Sequence, residues 1–134
     1  DSGGAGRTRG GLGQYMEVGA QEGHEFDIQA MFDRVDHPAL GRRGGSAGAP
    51  TTIAQDDGSA MNGKGKQFVA HGRRVVMAFP GGAGYGNPSE RSVDLVKRDL
   101  ARGYISAETA SKNYNLSTAD IAEVQAAVAR GDTI

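Results

Sequence analysis

Asp1-Ser-Gly-Gly-Ala-Gly-Arg-Thr-Arg-Gly-Gly-Leu-Gly13 opens the chain, and Phe79-Pro-Gly-Gly-Ala-Gly-Tyr-Gly-Asn-Pro88 closes its first two thirds. These two stretches decide how the polypeptide is organised. Glycine serves where the backbone takes positive φ or where another surface comes close. Twenty of the 22 glycines lie at or before Gly86, and only Gly103 and Gly131 follow. The front therefore reads as loop and strand, the rear as helix. The expected fold class is α+β: a mostly antiparallel, Gly-rich β module over residues 1–88, with three short C-terminal helices over 89–134 packing on it as one structural unit. Two glycine segments predict a chain that threads against something else. An opening at full stride, with no leader, predicts that part of the machine lies on another polypeptide.

Working outward, Gln14–Val18 reads as a short strand. Glu25–Asp33 alternates better, with Phe26, Ile28, Ala30 and Phe32 on one face, and a period of two marks a half-buried strand. Between them Gly19–Gly23 reads as a hairpin-like connection. Arg42–Pro50 is too rich in Gly for an element and reads as a long loop. Thr51–Ala54 is a further strand, followed by a turn at Asp56-Asp-Gly58. Gln67–Ala70 and Arg74–Phe79 are two more, around a turn at His71-Gly72, and Pro80 ends the last by removing a donor. In the rear, Ser92 is placed to cap a helix through Val93, Val96 and Leu100, with Gly103 at its C′ position. Ser106 caps a second through Tyr114, ended by Asn115 in the left-handed region. Ser117 caps a third, with Asp120 as a capping-box variant and Leu116 and Ile121 at the staple positions. Ile121, Val124 and Val128 form a narrow apolar stripe, and Gly131 stops it.

At 134 residues, with 37% hydrophobic and 6% aromatic residues and no Trp, the chain is one domain with a modest core. The scarcity of large anchors predicts low stability for the chain alone. A formal charge of -1 gives no long-range field for nucleic acid or anionic membrane. The absence of Cys excludes disulfides and thiolate metal sites and fits a reducing compartment. No apolar run approaches the roughly 20 residues that span a bilayer. The expectation is a cytoplasmic protein, with neither nucleic acid nor membrane among its partners.

The Gly3–Gly13 segment can present backbone N–H groups and guanidinium to a phosphate or carboxylate. It lacks the Gly-Lys-Ser/Thr of a phosphate loop, and no strand precedes it. Arg9-Gly-Gly11 is an RNA-binding type of tripeptide, but it occurs once, in a neutral chain. The alternative is a tight loop locked by Arg7 and Arg9 to a neighbour's carboxylates. Pro80–Pro88 poses a similar choice between an active-site wall with Tyr85 as a polar contact and a strand-to-helix bend. His24, His37 and His71 lack local ligand spacing. Asp33, Asp36 and His37 could touch a cation or form a solvated turn before Pro38. Lys64 and Lys66 could meet an anionic substrate or stay solvated. No Gly-x-Ser-x-Gly elbow occurs. The residues by themselves give no catalytic, cofactor-binding or metal-ligating set on this chain, and read as a supporting or interaction module. The interface or structural candidates are Arg7, Arg9, Gly10, Gly11, Gly81, Gly82, Gly84, Tyr85 and Gly86.

Several blocks also carry a family likeness. Asp1–Gly13 resembles the signature that opens the C-terminal region of hydantoinase B/oxoprolinase proteins. Phe32-Asp-Arg34, Gly44–Pro50 and Gly63–Lys66 resemble later blocks in the same order. Pro80–Pro88 with Glu90-Arg91 is similar to the family's terminal motif, and Arg98-Asp99, Gly103–Ser106 and Ala110 resemble its closing helices. Ala83 and Asn87 depart from residues often Gly and Asp there, and Thr8 from a common aromatic.

The resemblance implies a larger enzyme. Family proteins are several times longer, and their metal-binding His and acidic residues precede this region. They work beside a hydantoinase A-type partner that uses ATP. The arrangement looks like the small, split-off subunit of acetophenone-type ketone carboxylases, which join bicarbonate to the α-carbon of a ketone. It implies ATP and a divalent metal, zinc or manganese, both on partner chains. The implied partners are a large hydantoinase B-type subunit and hydantoinase A-type subunits. Arg7 and Arg9 would be ion-pairing anchors, and Gly81–Gly86 a loop allowing close approach of the large chain. One rival reading is a C-terminal fragment of an ATP-dependent hydantoinase or 5-oxoprolinase B subunit. Another is an autonomous Arg-Gly loop binding module.

Overall fold

The structure, a computed structural model, describes residues 1–132. Its elements run β1 (Tyr15–Gly19), β2 (Phe26–Met31), β3 (Thr52–Gln55), β4 (Lys64–Val69), β5 (Arg74–Ala78), a 3-10 turn (Pro88–Glu90), α1 (Val93–Ala101), α2 (Ala107–Tyr114) and α3 (Thr118–Arg130). The fold class is α+β, with antiparallel strands followed by three helices. The strands form two sheets, one ordered β1-β5-β3 and one pairing β2 with β4.

The alternation in β2 has the expected consequence: Ala30 is buried and Phe26 and Ile28 are half-buried, while Asp27, Gln29 and Met31 are exposed. One apolar cluster draws on both sheets. Ile53, Val69, Val75 and Met77 are buried in it, and Phe26, Ile28, Phe32, Met61 and Phe79 pack around them. Burying a side chain of this size stabilises by about 1.5–3 kcal/mol, so strand partners are chosen by the faces they bury. That corrects the expected hairpin at Gly19–Gly23. β1 runs against β5, with Met16 opposite Met77 and Val18 opposite Val75. β2 runs against β4, with Phe26 opposite Val69 and Ile28 opposite Gln67. The Gly19–Gly23 link is therefore a corner between sheets, as is the turn at His71-Gly72.

Three extended segments form no regular sheet and yet bond closely to one another. The N–H of Gly81 donates to Ala49 O, that of Gly82 to Gly11 O and that of Gly84 to Ser46 O. The N–H groups of Gly4 and Ser46 donate to Gly82 O and Ala5 O. Bonds from one segment thus alternate between two neighbours, as in a polyglycine or collagen-like bundle rather than a β-ladder. Only glycine fits such an axis. A Cβ at Gly81 would lie on Ser2 O, one at Gly84 on Ala5 O, and one at Gly10 on Gly82 O. The loop expected over residues 42–50 is thus the third member of a packed bundle.

The helical tail follows its caps. Ser106 Oγ accepts from Thr109 N–H, and Asn115 ends α2 at φ 56°. Ser117 Oγ accepts from Asp120 N–H, and Gly131 ends α3 at φ 80°. Ser92 occupies the cap of α1 without a side-chain bond to it. Leu116 is buried, and Ile121 packs against the same cluster as Val96, Ile105, Ala110, Tyr114 and, from the first glycine segment, Ala5. The α3 stripe is corrected at one position: Ala127, three residues after Val124, is buried, whereas Val128 is exposed.

Candidate functional site

Residues 1–11 are the member of the glycine bundle that faces the helices, and here most of the singled-out residues meet. Arg9 extends from the opening segment toward α1. Asp99 lies three residues after Val96, so helical spacing turns both to the buried side. Asp99 Oδ2 accepts from Arg9 Nε at 3.0 Å and from Arg91 Nη2 at 2.7 Å. The three side chains are 14% (Arg9), 9% (Arg91) and 5% (Asp99) exposed, so this is a buried triad with one carboxylate between two guanidiniums. Two further donors are turned to backbone, Arg9 Nη1 to Gly10 O at 2.7 Å and Arg91 Nη1 to Arg7 O at 3.0 Å, while the buried Arg91 Nε has no hydrogen-bond partner among the described residues. The Arg9 guanidinium also lies 5.4 Å from the centre of the Tyr104 ring. Beside the triad, Asp1 Oδ1 accepts from Ser106 N–H at 2.8 Å, tying the opening segment to the start of α2.

Tyr114 is buried in the same region, and its hydroxyl makes no hydrogen bond of normal geometry. Burial raises its pKa above the ordinary 10.0, against smaller opposing effects of the Gly6 amide, Arg91 and Arg9.

Arg7 behaves differently. It reaches Glu90 only at 3.9 Å, and both side chains are more than half exposed. An ion pair of that kind contributes little to stability. Tyr85 has its backbone bridged to Thr8 on one side and Arg42 on the other. Its ring is partly exposed, with the Arg43 guanidinium 5.7 Å from the ring centre. Gly86 takes φ 76° as the chain leaves the bundle for the 3-10 turn, where Asn87 Oδ1 accepts from Ser89 N–H. The backbone that approaches Gly81, Gly82 and Gly84 so closely is the chain's own, and Arg9 finds its carboxylate within the chain. The close approach and the tight ion pairing expected at an interface are, in this structure, intramolecular. Asp99 and Arg91 stand in the sequence only within the family-like blocks Arg98-Asp99 and Glu90-Arg91 and not as site candidates, although an acidic residue on the Val96 side of α1 is a readable signal of a buried partner.

The second concentration of polar residues lines a groove of about 490 Å³ formed by Phe32–His37 and Asn62–Lys64. Asp33 and Lys64 close one side of it at 2.9 Å. The Lys64 ammonium holds the Asp33 carboxyl below its ordinary pKa. Arg34 sits at φ 60°, and its loop is tied down by Thr51, whose Oγ1 donates to Asp33 O and whose N–H donates to Arg34 O. His71 Nε2 accepts from Gly23 N–H at a different corner of the fold. Among the described residues no three His, Cys, Asp or Glu side chains converge as a metal-ligand set. No helix among the described residues is long and apolar enough to cross a membrane.

The chain is similar to parts of longer known proteins. The chain is 33% identical over 119 residues to an uncharacterized protein of Methanocaldococcus jannaschii, covering 87% of this chain and 21% of that protein. It is 27% identical over 128 residues to the caprolactamase subunit beta of Pseudomonas jessenii, again 87% of this chain and 21% of the relative. It thus spans about a fifth of the length of these curated relatives. Its fold is similar to part of acetone carboxylase in a nucleotide-free structure, with a TM-score of 0.66 at 17% identity, over 97% of this chain and 24% of that one. Residues 1–88, the β module with its glycine bundle, match the hydantoinase B/oxoprolinase family, and the chain belongs to that family.

Proposed function

We propose that this chain is a small, non-catalytic subunit that completes the large hydantoinase B-type subunit of an ATP-dependent ketone carboxylase of the acetophenone type. The observation that carries the reading is the use of the chain's own chemistry. Its buried charges, Arg9, Arg91 and Asp99, pair with one another and with backbone, and of their buried side-chain nitrogens and oxygens only Arg91 Nε is left without a hydrogen-bond partner among the described residues. Gly4, Gly10, Gly45, Gly48, Gly81 and Gly84 are used in packing its own three segments. The fold likeness to acetone carboxylase, over nearly the whole of this chain and a quarter of that one, supports a part within such a body.

In this reading the assembly acts in the cytoplasm and joins bicarbonate to the α-carbon of a ketone. ATP is used by hydantoinase A-type partners, and a divalent metal, zinc or manganese, is held by the large subunit. This chain contributes rigid surface: the bundle and the triad fix the opening segment, so that Arg7 and Tyr85 can meet a partner without reordering. A second reading, a C-terminal part of a B subunit that opens cyclic amides, is favoured by the similarity to caprolactamase subunit beta.

One reconstitution separates the two. The chain is combined with the larger hydantoinase B-type and A-type polypeptides of its source and supplied with ATP. Labelled bicarbonate with acetophenone is then compared with hydantoin, 5-oxoproline and caprolactam. Incorporation of label that requires this chain supports the carboxylase. Cyclic-amide hydrolysis without incorporation supports the second reading. Full turnover in the absence of this chain refutes both.

A further inference from the structure

The sheet β1-β5-β3 has two outer edges, and they are treated differently. At β3, the Ala60 backbone bridges to Ala54, Met61 N–H donates to Ile53 O, and Gln55 N–H donates to Ser59 O. That edge is closed by the chain itself. At β1, no backbone group among the described residues pairs with the outer side. The pairing order shows what is left open. Phe79 N–H donates to Gln14 O, so Gln14, Met16 and Val18 bond inward to β5, and Tyr15 and Glu17 present their N–H and C=O groups outward.

Natural edges are usually blunted by Lys, Pro, a bulge or a covering segment. Tyr15-Met-Glu-Val-Gly19 carries none of these, and the carboxylate of Glu17 is turned to Arg74 at 3.2 Å on the neighbouring strand. The two-stranded sheet, by contrast, bears Lys64 and Lys66 on β4.

The apolar layer also stops short at β1. Met16 and Val18 lie on the same face as their cross-strand partners Met77 and Val75. The partners are 4% and 0% exposed, whereas Met16 and Val18 are 38% and 39% exposed. The core face thus continues one strand beyond what covers it.

We infer that the outer edge of β1 is where the larger hydantoinase B-type polypeptide adds an extended strand, with apolar side chains over Met16 and Val18. The inference rests on the reading that this chain completes a larger body. The occupant follows from the family's proportions: the matched relatives contain about four times as much further polypeptide, and in the acetone carboxylase chain the same fold is one quarter of a continuous body. Backbone pairing of this kind gives affinity through the ladder, and the side chains facing the layer give specificity.

The test uses Glu17→Pro. It removes an outward N–H that bonds to no backbone group among the described residues, and proline is tolerated on such an edge. Glu17→Ala controls for the ion pair to Arg74. Each version is co-expressed with the larger hydantoinase B-type polypeptide of its source and recovered through a tag on that polypeptide. Wild type and Glu17→Ala should be recovered together with it, and Glu17→Pro at less than a tenth of that amount with an unchanged circular dichroism spectrum. Amide exchange on the wild type gives a reading that needs no variant: the Tyr15 and Glu17 amides should slow at least tenfold on assembly. Equal recovery of Glu17→Pro, or unchanged exchange at Tyr15 and Glu17 in the complex, overturns the inference while leaving the subunit reading standing. A wild-type homodimer in sedimentation that Glu17→Pro dissolves overturns it in favour of a second copy of this chain. Failure of the wild type to be recovered at all removes the subunit reading itself.

Discussion

Replacing Asp99 with alanine should do more damage than any other single charge removal in the molecule. Asp99 is buried, and it is the acceptor shared by Arg9 and Arg91, at 3.0 and 2.7 Å. Asp99→Ala leaves two guanidiniums facing one another, 14% and 9% exposed, with water largely excluded. Breaking a buried pair by removing one partner costs about 3–5 kcal/mol, because an uncompensated charge stays behind. With an unfolding entropy of about 2.1 cal/mol/K per residue, a chain of this length loses about 3.5 °C per kcal/mol, so Tm should fall by about 10–18 °C. Asp99→Asn keeps the shape and one acceptor oxygen and should lose less, about 1.5–3 kcal/mol, the worth of hydrogen bonds to a charged group. Adding Arg9→Met to Asp99→Ala should recover part of the loss, since it removes one of the stranded charges. Thermal melts and urea titrations followed at 222 nm measure all three. A fall below about 3 °C for Asp99→Ala would class the triad with exposed ion pairs and refute the argument.

The glycine bundle gives a matched pair: Gly84→Ala, whose Cβ would lie on Ala5 O, should prevent folding as judged by circular dichroism, whereas Gly11→Ala, which meets nothing, should leave Tm within a few degrees of wild type. At Tyr114, removing a buried hydroxyl without a partner makes Tyr114→Phe neutral or stabilising by up to about 1 kcal/mol in urea titration. Asp57 is held at about 2, first by Ser59 and then by Arg73, against an ordinary 3.8. A depressed folded pKa gives stability that is present above 3.8 and lost as pH falls through about 2, so Asp57→Asn should flatten the acid limb of a pH-melting curve over that window.

Much of the secondary structure was legible because it rests on local rules. Ser106, Ser117, Asn115 and Gly131 cap the helices where expected, and Phe26, Ile28 and Ala30 alternate as read. Strand partnership was not legible at Gly19–Gly23, because a short polar link looks like a hairpin whether or not its strands share a sheet. Which sheet β1 joins depends on Val75 and Met77, more than fifty residues away. Residues 42–50 form the expected loop, but its packing is not legible for a related reason: a glycine bundle has no side-chain period to read, and its bonds run between distant segments. Val128 was placed in the apolar stripe by its hydrophobicity, and the small Ala127 took the buried position. Arg9 is visible as a candidate, and Asp99 is visible only as part of a family-like block, so their pairing is not legible. Asp99 shows its role only when the Val96 side of α1 is known to face the opening segment.

The account stands on this chain working as a fixed part of a larger hydantoinase B-type assembly. Native mass spectrometry of the chain drawn intact from the cells that make it tests that claim directly. The account predicts a mass that contains the larger family polypeptide together with this chain in a constant ratio. Recovery of the 13.9 kDa chain as a lone monomer would contradict it.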